Sequence, residues 1–437
     1  MTETYQLTHL GGEHTVTGSC HLLRTKELTI LVDCGLSQGR DAAASLSAWP
    51  IAPKDVDYLF LTHAHIDHIG RLPELIHHGF HGEIICTHPT KAMLLPMLRD
   101  ALSFSDFGED QSRRLLEKID ELSWGFEYRQ VFRLKHGAEF ELGHAGHILG
   151  SCFIRLTIAG QSIIFSGDLG SINTPLVCDP DPPGPCDLLV MESTYGDKLH
   201  EGRDQRQAKL SEALAKALKD NGKVLIPAFA LGRTQEILYG LDRLLDSRQL
   251  KKIPVVIDSP LGVTLTEVFE AQKQFWDQEA QQLLAKGNNP IEFAGLYSAA
   301  QARDHHQLLQ TPGPMIIIAG SGMCNGGRIL DHLAANLEDP KTDIFFVGYQ
   351  AEGTTGRDIV KQSAKTNGAV SINGKRYTIK AKVHTLSGYS AHADQQGLLD
   401  WIASMPKKPG KIKLVHGEPT AQKVLAAKLH EKGYNVS

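Results

Sequence analysis

The feature that most constrains this chain is a short His-rich segment that follows an apolar stretch. Residues 60–70 read Phe-Leu-Thr-His-Ala-His-Ile-Asp-His-Ile-Gly, so three imidazoles and one carboxylate fall within six residues. Neutral imidazole and carboxylate are the ligands that zinc and similar divalent metals prefer. The apolar run 56–61 predicts a buried strand, and Pro73 and Glu74 predict the entry into a helix. The sequence therefore predicts half of a metal site on a strand-to-helix loop.

The spacing within that segment predicts ligands for two ions. Side chains alternate between the two sides of an extended backbone, so His63 and His65 point the same way. Asp67 and His68 lie past the predicted bend, where they can face a second ion. The alternative interpretation is a polar surface loop that happens to be rich in histidine, and the close spacing of four ligand-type side chains disfavours it.

Length and composition predict a globular protein of two or three domains. The 437 residues suffice for several hydrophobic cores, and the hydrophobic and charged fractions of 41% and 22% are ordinary. No apolar run approaches the length of a membrane span, and the first residues lack the basic and apolar regions of a signal peptide. We therefore expect no membrane association and no export.

Cysteine usage indicates the cellular compartment, and the net charge limits how the protein could bind nucleic acid. The seven cysteines are an odd number without any C-x-x-C pair, which argues against a disulfide framework and favours the reducing cytoplasm. The formal charge of -5 excludes the strong basic field of a typical nucleic-acid-binding protein. A nucleic-acid substrate would then have to be held by local contacts or by metal.

The pattern of predicted secondary structure changes twice along the chain. Residues 1–205 read as short strands joined by tight turns, with a helical stretch at about 91–122. From 206 the chain alternates helices, such as 233–246, with short and fully apolar strands, which predicts a parallel α/β sheet. From 366 it returns to a hairpin around Asn373-Gly374, a helix, strand 411–415 and helix 419–431. We predict one domain built from 1–205 and 366–437, with an inserted domain at 206–365.

Two further loops carry ligand-type side chains after apolar strands. Residues 141–151 contain His144 and His147, and the apolar run 163–165 leads to Asp168. Either loop alone is weak evidence, because an aspartate at a strand end is more often a turn or cap residue. Together with the first segment they supply the ligands that a two-metal site still needs.

The complete ligand series resembles that of the metallo-β-lactamase fold. The matching residues are the segment His63-x-His65-x-Asp67-His68, then His147, then Asp168. Asp33, at the end of an apolar strand, is similar to the early aspartate of that family, which supports a ligand and does not bind the metal itself.

Three later motifs resemble those of the β-CASP nucleases, a group that includes the nuclease subunit of the cleavage and polyadenylation specificity factor and its bacterial and archaeal RNA-processing relatives. The motifs are residues 191–196 with Glu192, 387–394 with His392, and 414–418 with His416. The insert matches in position and size, so the resemblance covers essentially the whole chain. It implies an α/β fold, namely a metallo-β-lactamase αββα sandwich with an inserted parallel-sheet β-CASP domain.

The resemblance also implies a mechanism with two Zn²⁺ ions. One ion would be held by His63, His65 and His147, and the other by Asp67, His68 and His416, with Asp168 bridging the two. A metal-bridging hydroxide would attack the phosphodiester, and Asp67 counts among the catalytic residues as well as the ligands. A 3′-alkoxide leaves badly without a proton, so an acid is needed, and in this family His392 fills that role, oriented by Glu192. The expected products carry a 5′-phosphate and a 3′-hydroxyl.

Four residues outside the metal site are candidates for substrate contact. The loops 319–328 and 230–234 contain Ser321, Arg328 and Arg233, and they place glycines and backbone N–H groups where a phosphate could approach a helix N-terminus. Ser390 lies in the motif around His392. The competing interpretation of the glycines is close packing of helix on sheet. The basic hairpin at 375–382 is better interpreted as a solvated face than as an RNA contact.

We expect a ribonuclease acting on single-stranded RNA, with poor cleavage of duplex RNA and little of single-stranded DNA. A small-molecule ester or thioester hydrolase of the same fold is the main alternative, and the insert together with Glu192 and His392 argues against it. A scaffold subunit with a decayed site is disfavoured, because every ligand position is filled. The sequence leaves open endonucleolytic or exonucleolytic cutting, the physiological RNA, the metal beyond a zinc-like ion, and a homo-oligomeric state.

Overall fold

The computed structural model describes residues 5–37, 46–200, 202, 205–247, 252–348, 350–386 and 388–437. The strands are β1 (Tyr5–Gly11), β2 (Cys20–Thr25), β3 (Thr29–Val32), β4 (Tyr58–Phe60), β5 (Glu83–Thr87), β6 (Ser123–Phe126), β7 (Val131–Arg133), β8 (Glu139–His144), β9 (Cys152–Ile158), β10 (Gln161–Phe165), β11 (Leu188–Glu192), β12 (Lys223–Pro227), β13 (Val255–Ile257), β14 (Leu296–Ser298), β15 (Met315–Ala319), β16 (Asp343–Phe346), β17 (Ala369–Ile372), β18 (Lys375–Thr378), β19 (Lys382–Thr385) and β20 (Lys411–Val415).

The α-helices are α1 (Ile66–Ile69), α2 (Leu72–His77), α3 (His88–Leu102), α4 (Glu109–Leu122), α5 (Arg206–Ala217), α6 (Arg233–Asp246), α7 (Pro260–Ala271), α8 (Gln278–Ala285), α9 (Ala302–Gln310), α10 (Ile329–Asn336), α11 (Thr355–Ser363), α12 (Gln395–Ala403) and α13 (Pro419–Glu431). Within the described ranges, none of these helices combines the length and the apolar character that a membrane crossing requires.

The chain divides into two compact units. The first unit comprises Met1–Leu199 and His392–Ser437, and the second comprises His200–Ala391. The predicted insert ended at 365, so the two divisions differ at the return crossing. The physical reason is β19, which pairs in parallel with β16 and so joins the sheet of the second unit.

The first unit is a sandwich of two six-stranded sheets, with strand orders β1-β2-β3-β4-β5-β6 and β20-β11-β10-β9-β8-β7. Their inner faces share one apolar core, in which the rings of Phe60 and Phe140 lie 5.1 Å apart. On the outside, α3 and α4 lie against β5 and β6, while Leu398 of α12 and Leu425 of α13 pack on the second sheet. This is the αββα sandwich that the sequence predicted.

The second unit contains a six-stranded sheet in the order β14-β13-β15-β12-β16-β19, with every neighbouring pair parallel. Strands buried on both faces explain the fully apolar runs on which the prediction of a parallel sheet was based. In chain order, β12 is the first strand of this sheet. It lies inside the sheet, with β15 on one side and β16 on the other. The connection that leaves β12 runs to β13, whereas the connection that leaves its neighbour β15 runs to β16, in the opposite direction along the sheet. Open α/β sheets bind ligands at the carboxyl ends of strands at such a point.

Candidate metal centre

The predicted ligands all lie in the first unit, together with Asp33, Glu192 and His392. They are found at or just beyond the ends of strands and in the short helix α1. Asp33 follows β3, His63 and His65 follow β4, Asp67 and His68 lie in α1, His147 follows β8, Asp168 follows β10, Glu192 ends β11, His392 precedes α12, and His416 follows β20. Strands β3, β4 and β5 run parallel, as do β10, β11 and β20. Parallel neighbours end at the same edge of a sheet, so each sheet presents its ligands at one edge.

Three histidines form the first group of ligand atoms. Nδ1 of His65 lies 3.0 Å from Nε2 of His63 and 3.2 Å from Nε2 of His147. A tetrahedral zinc ion with Zn–N bonds of 2.0–2.1 Å spaces its ligand atoms by about 3.3 Å. Burial lowers the pKa of His65 to about 4 and holds the pKa of His63 and of His147 well below the usual value. The three imidazoles are therefore neutral, which is the form that binds metal.

A second group consists of Asp67, His68 and His416. Oδ2 of Asp67 lies 4.0 Å from Nε2 of His68 and 3.7 Å from Nε2 of His416. Both of these nitrogens are buried, and neither has a hydrogen-bond partner among the described residues. Buried polar atoms are nearly always satisfied, so the two nitrogens fit the role of metal ligands.

The carboxylate of Asp168 adjoins both groups. Its Oδ2 lies 3.4 Å from Nε2 of His68 in the second group, and 3.7 Å from Nε2 of both His63 and His147 in the first. Burial raises the pKa of this carboxyl, but the nearby imidazoles of His416 and His68 outweigh burial and hold it well below the usual value. Asp168 is therefore ionised and positioned to touch ions in either group.

Asp33 fixes the orientation of one ligand. Its Oδ2 accepts hydrogen bonds from Nδ1 of His68 at 2.7 Å and from the hydroxyl of Thr62 at 2.9 Å, and its Oδ1 accepts from the backbone N–H of Thr62 at 2.8 Å. In the neutral imidazole that binds metal, a proton on Nδ1 of His68 leaves Nε2 unprotonated and turned towards the ligand cluster. The sequence had not singled out Thr62, which lies beside the His-rich segment without being a ligand type.

The electrostatic field of this centre favours cations. Burial lowers the pKa of His68, but the carboxylates of Asp168 and Asp33 outweigh burial and raise it well above the usual value. A site that draws a proton onto a buried imidazole also draws a metal ion. The types of donor atom and their spacing fit a bound divalent metal. The unpartnered nitrogens and the electrostatic field fit it as well.

His392 lies beside the ligand cluster and is paired with Glu192. Its Nδ1 is 3.2 Å from Oε1 of Glu192, and its ring centre is 4.5 Å from that of His147. Burial lowers the pKa of His392, but Glu192 and Asp168 outweigh burial and raise it to about 9. The imidazole can therefore carry a proton at neutral pH.

Several backbone groups fix this pair. Oε1 of Glu192 accepts the backbone N–H of Leu169 at 2.7 Å, and Oε2 accepts that of Thr194 at 3.1 Å. The hydroxyl of Ser171 donates to the carbonyl of His392 at 2.9 Å. The segment after Asp168 thus holds both Glu192 and His392 beside the ligand cluster.

His144, which falls near the ligand pattern, belongs to a separate network. Its Nδ1 lies 3.0 Å from Oδ2 of Asp181, which Arg129 also binds, and its ring stacks on Tyr128 with centroids 3.8 Å apart. This network fastens the Pro-rich loop that precedes β11 to the end of β8. His144 therefore has a packing role next to the loop that carries His147.

The four residues predicted to contact substrate lie in the second unit. Arg233, at the start of α6, pairs with Glu236, and its guanidinium lies 5.8 Å from the ring centre of Tyr389. Ser390 follows that tyrosine and is half-buried. Ser321 organises its own loop, because its Oγ lies 3.2 Å from the carbonyl of Gly326.

Arg328 is bound inside the second unit. Its Nη1 donates to Oδ1 of Asp258 at 2.8 Å and to the carbonyl of Ala299, and its Nη2 donates to the carbonyl of Ala300 at 2.9 Å. The loop that follows β15 is thereby tied to the end of β13.

Asp258 is the centre of a buried network that sequence reasoning missed. Its Oδ2 accepts hydrogen bonds from Nδ1 of His305 and Nε2 of His332, both at 2.6 Å. Ligand atoms around a tetrahedral metal are about 3.3 Å apart, and a cationic Arg328 already binds the other oxygen. The group therefore has the spacing of hydrogen bonds and not of a metal site. The partners lie 47 and 74 residues from Asp258, too far for any local pattern to signal.

Asp258→Asn is expected to lower the free energy of unfolding by about 2 to 4 kcal/mol, because it leaves buried donors without their charged acceptor. The measurement is the midpoint of urea unfolding. Asp331→Asn is the matched control, since Asp331 contacts the same His305 at 3.2 Å but is 54% exposed, so its loss should cost at most about 1 kcal/mol. A drop in bound metal in Asp258→Asn would instead make the group a metal site.

Three family models match the chain in succession. They are described as the Metallo-beta-lactamase superfamily over residues 15–228, the Beta-Casp domain over 234–359, and the Zn-dependent metallo-hydrolase RNA specificity domain over 376–437. The first match covers all the predicted ligands except His416, which falls within the third together with His392.

Two relatives match over nearly their whole length. The chain is 37% identical to Ribonuclease TTHA0252 of Thermus thermophilus, over 98% of this chain and 96% of the relative. It is 32% identical to the RNase J-like protein of Methanocaldococcus jannaschii, over 93% and 91%. A crystal structure of a protein of unknown function from Enterococcus faecalis shares the fold, with a TM-score of 0.57 at 14% identity over 98% of this chain and 96% of that one.

Proposed function

Because the chain belongs to the β-CASP family of the metallo-β-lactamase superfamily, we propose that it is a metal-dependent ribonuclease that hydrolyses phosphodiester bonds of single-stranded RNA. The observation that carries the proposal is the convergence of two ligand groups on Asp168, with the pair formed by His392 and Glu192 beside them. A small-molecule hydrolase would use the ligand groups alone. The relatives named as ribonucleases and the match to an RNA specificity domain favour RNA.

The ligand groups divide naturally between two zinc ions. His63, His65 and His147 would hold one ion, Asp67, His68 and His416 would hold the other, and Asp168 would touch both. Two such ions, when bound, would lower the pKa of water from about 15.7 toward 7 and offset the charge that develops on the phosphate. Asp33, by binding Nδ1 of His68, keeps Nε2 of that imidazole available as a ligand.

His392 supplies the proton that the leaving oxygen needs. Its Nδ1 donates to the carboxylate of Glu192, so the proton to be delivered is carried on Nε2. The raised pKa favours the imidazolium at neutral pH, and Glu192 stabilises that charge until the proton is transferred. The products are a 5′-phosphate and a 3′-hydroxyl.

RNA contacts outside the metal centre are proposed for the four predicted residues of the second unit. Ser321 lies in the Gly-rich loop after β15, where backbone N–H groups suit a phosphate. Arg233 and Ser390 flank Tyr389. Arg328 acts differently, because Asp258 already binds its guanidinium, so it would shape the Gly-rich loop through that ion pair.

Purified protein is expected to cleave a single-stranded RNA oligonucleotide, to lose this activity in excess chelator and to regain it on addition of Zn²⁺. Labelling either end of the RNA reports whether cuts are internal or start from one end. The product termini are checked by extension of a 3′-hydroxyl and by removal of a 5′-phosphate.

The matched controls are single-stranded DNA and duplex RNA of the same sequence, on which much lower initial rates are expected. Cleavage of RNA that persists in chelator would contradict a metal-dependent mechanism. Fast hydrolysis of an aryl thioester together with inert RNA would favour the small-molecule alternative.

A further inference from the structure

One aromatic ring in the second unit is exposed at a place where open parallel sheets commonly bind ligands. Phe229 lies two residues beyond β12, and 47% of its surface is exposed. A single exposed apolar residue means little by itself. Its position is what matters, because the connections that leave β12 and its neighbour β15 run in opposite directions along the open parallel sheet, and ligands bind such sheets at the strand ends at this kind of point.

The ring is backed by the Gly-rich loop. A Cβ atom on Gly322 would lie 2.9 Å from Cδ2 and 3.1 Å from Cε2 of Phe229, and the first of these distances is shorter than real Cβ atoms allow. Gly322 is itself held, since its carbonyl accepts a hydrogen bond from the side chain of Gln350 at 3.0 Å. The glycine thus lets the phenyl ring rest against the loop backbone while about half of its surface stays open to solvent.

The backbone that carries the ring is also fixed. The carbonyl of Phe229 accepts hydrogen bonds from the hydroxyl of Thr234 at 2.8 Å and from its N–H at 3.2 Å. The N–H of Ala228 continues the sheet by donating to the carbonyl of Ala319 at 3.0 Å. A ring on fixed backbone loses little conformational freedom when something stacks on it.

The other exposed aromatic of the described second unit has an ordinary explanation. Tyr297 is 59% exposed, but it lies on β14, the edge strand of the sheet, and carries a hydroxyl that water can satisfy. Phe229 has no polar atom on its side chain and lies beside an interior strand. It is therefore a flat apolar surface next to a loop suited to phosphate.

We infer that Phe229 is a nucleobase-stacking residue, on which one base of the RNA lies while the neighbouring Gly-rich loop meets the phosphate backbone. Stacking suits a substrate whose sequence varies, because every base has a π-face. The inference rests on the proposed ribonuclease function and extends it by naming a residue that binds a base.

Phe229→Ala is expected to raise KM for a single-stranded RNA about 5- to 100-fold, the range typical of one lost stacking contact, with kcat and bound metal unchanged. Phe229→Trp should keep the wild-type KM, because indole also stacks. Tyr297→Ala is the control for loss of an exposed aromatic in the same unit and should leave KM unchanged.

An abasic scan then separates stacking from a general effect on the protein. Each nucleotide of the substrate is replaced in turn by an abasic one, and KM is measured with wild type and with Phe229→Ala. At the stacked position the abasic substrate should make the two proteins equal, whereas at other positions their difference should persist. Equal KM values for both proteins on intact RNA, or a difference that persists at every position, would overturn the inference while leaving ribonuclease function intact. Wild-type protein that cleaves no RNA would overturn the function and the inference with it.

Discussion

The His392→Ala variant is expected to cleave RNA about 10² to 10⁴ times more slowly than wild type, which is the range for a lost general acid. Bound metal should not change and the fold should persist, because Nδ1 of His392 is turned to Glu192 and the two ligand groups remain complete without it. Initial rates on single-stranded RNA, with elemental analysis of the same samples, test both parts. Glu192→Gln should show a milder loss, since it weakens the imidazolium without removing it.

A substrate with sulfur in place of the bridging 3′-oxygen identifies the cause of the slow cleavage. A thiolate leaves without a proton, so His392→Ala and wild type should cleave this substrate at similar rates. A variant that is equally impaired on both substrates would show that His392 does something other than protonate the leaving group. A variant that has lost metal would make His392 a ligand.

Asp168→Ala is expected to lower the metal content from about two per chain towards zero and the cleavage rate by at least about 10³-fold. The reason is that Asp168 contacts both ligand groups, and each bound ion supplies several kcal/mol of transition-state stabilisation. Elemental analysis and initial rates are the measurements, with circular dichroism to show that the fold persists.

His416→Ala is the matched comparison for Asp168→Ala. His416 lies only in the second ligand group, so its loss should take the metal content from about two towards one. An unchanged content of two in His416→Ala would remove this residue from the ligand set. A content of one in Asp168→Ala would mean that its carboxylate serves a single ion.

Elements with a strong local pattern were predictable almost to the residue. Strand Glu83–Thr87 is a short apolar run, and helix Arg233–Asp246 has an apolar face of helical period. Strand Leu296–Ser298 was missed, because it is a largely exposed edge strand with no apolar pattern. The hairpin around Asn373-Gly374 is confirmed, but β18 ends at Thr378 and the next strand, β19, pairs with Asp343–Phe346, which are far away in sequence.

The residues of the candidate site likewise fall into two kinds, those that the local sequence signals and those whose role depends on the folded chain. His63, His65 and Asp67 stand out because ligand types are crowded into one segment. Thr62 could not be singled out, since its role depends on where the carboxylate of Asp33 lies in the folded chain. His305 has no ligand spacing in the sequence, and its partner Asp258 is visible only once α9 and β13 are packed together.

The strand β20 makes the second ligand group depend on a segment that is far in sequence from the His-rich segment. This strand pairs at the sheet edge with β11, and His416 follows it directly, so the second ligand group is completed only by a segment that follows the second unit. A nascent chain that has not reached this point holds the three histidines of the first group but lacks a ligand of the second. The complete set of ligands therefore requires both segments of the first unit, the one before and the one after the second unit. A chain truncated before residue 411 is accordingly expected to be inactive on RNA.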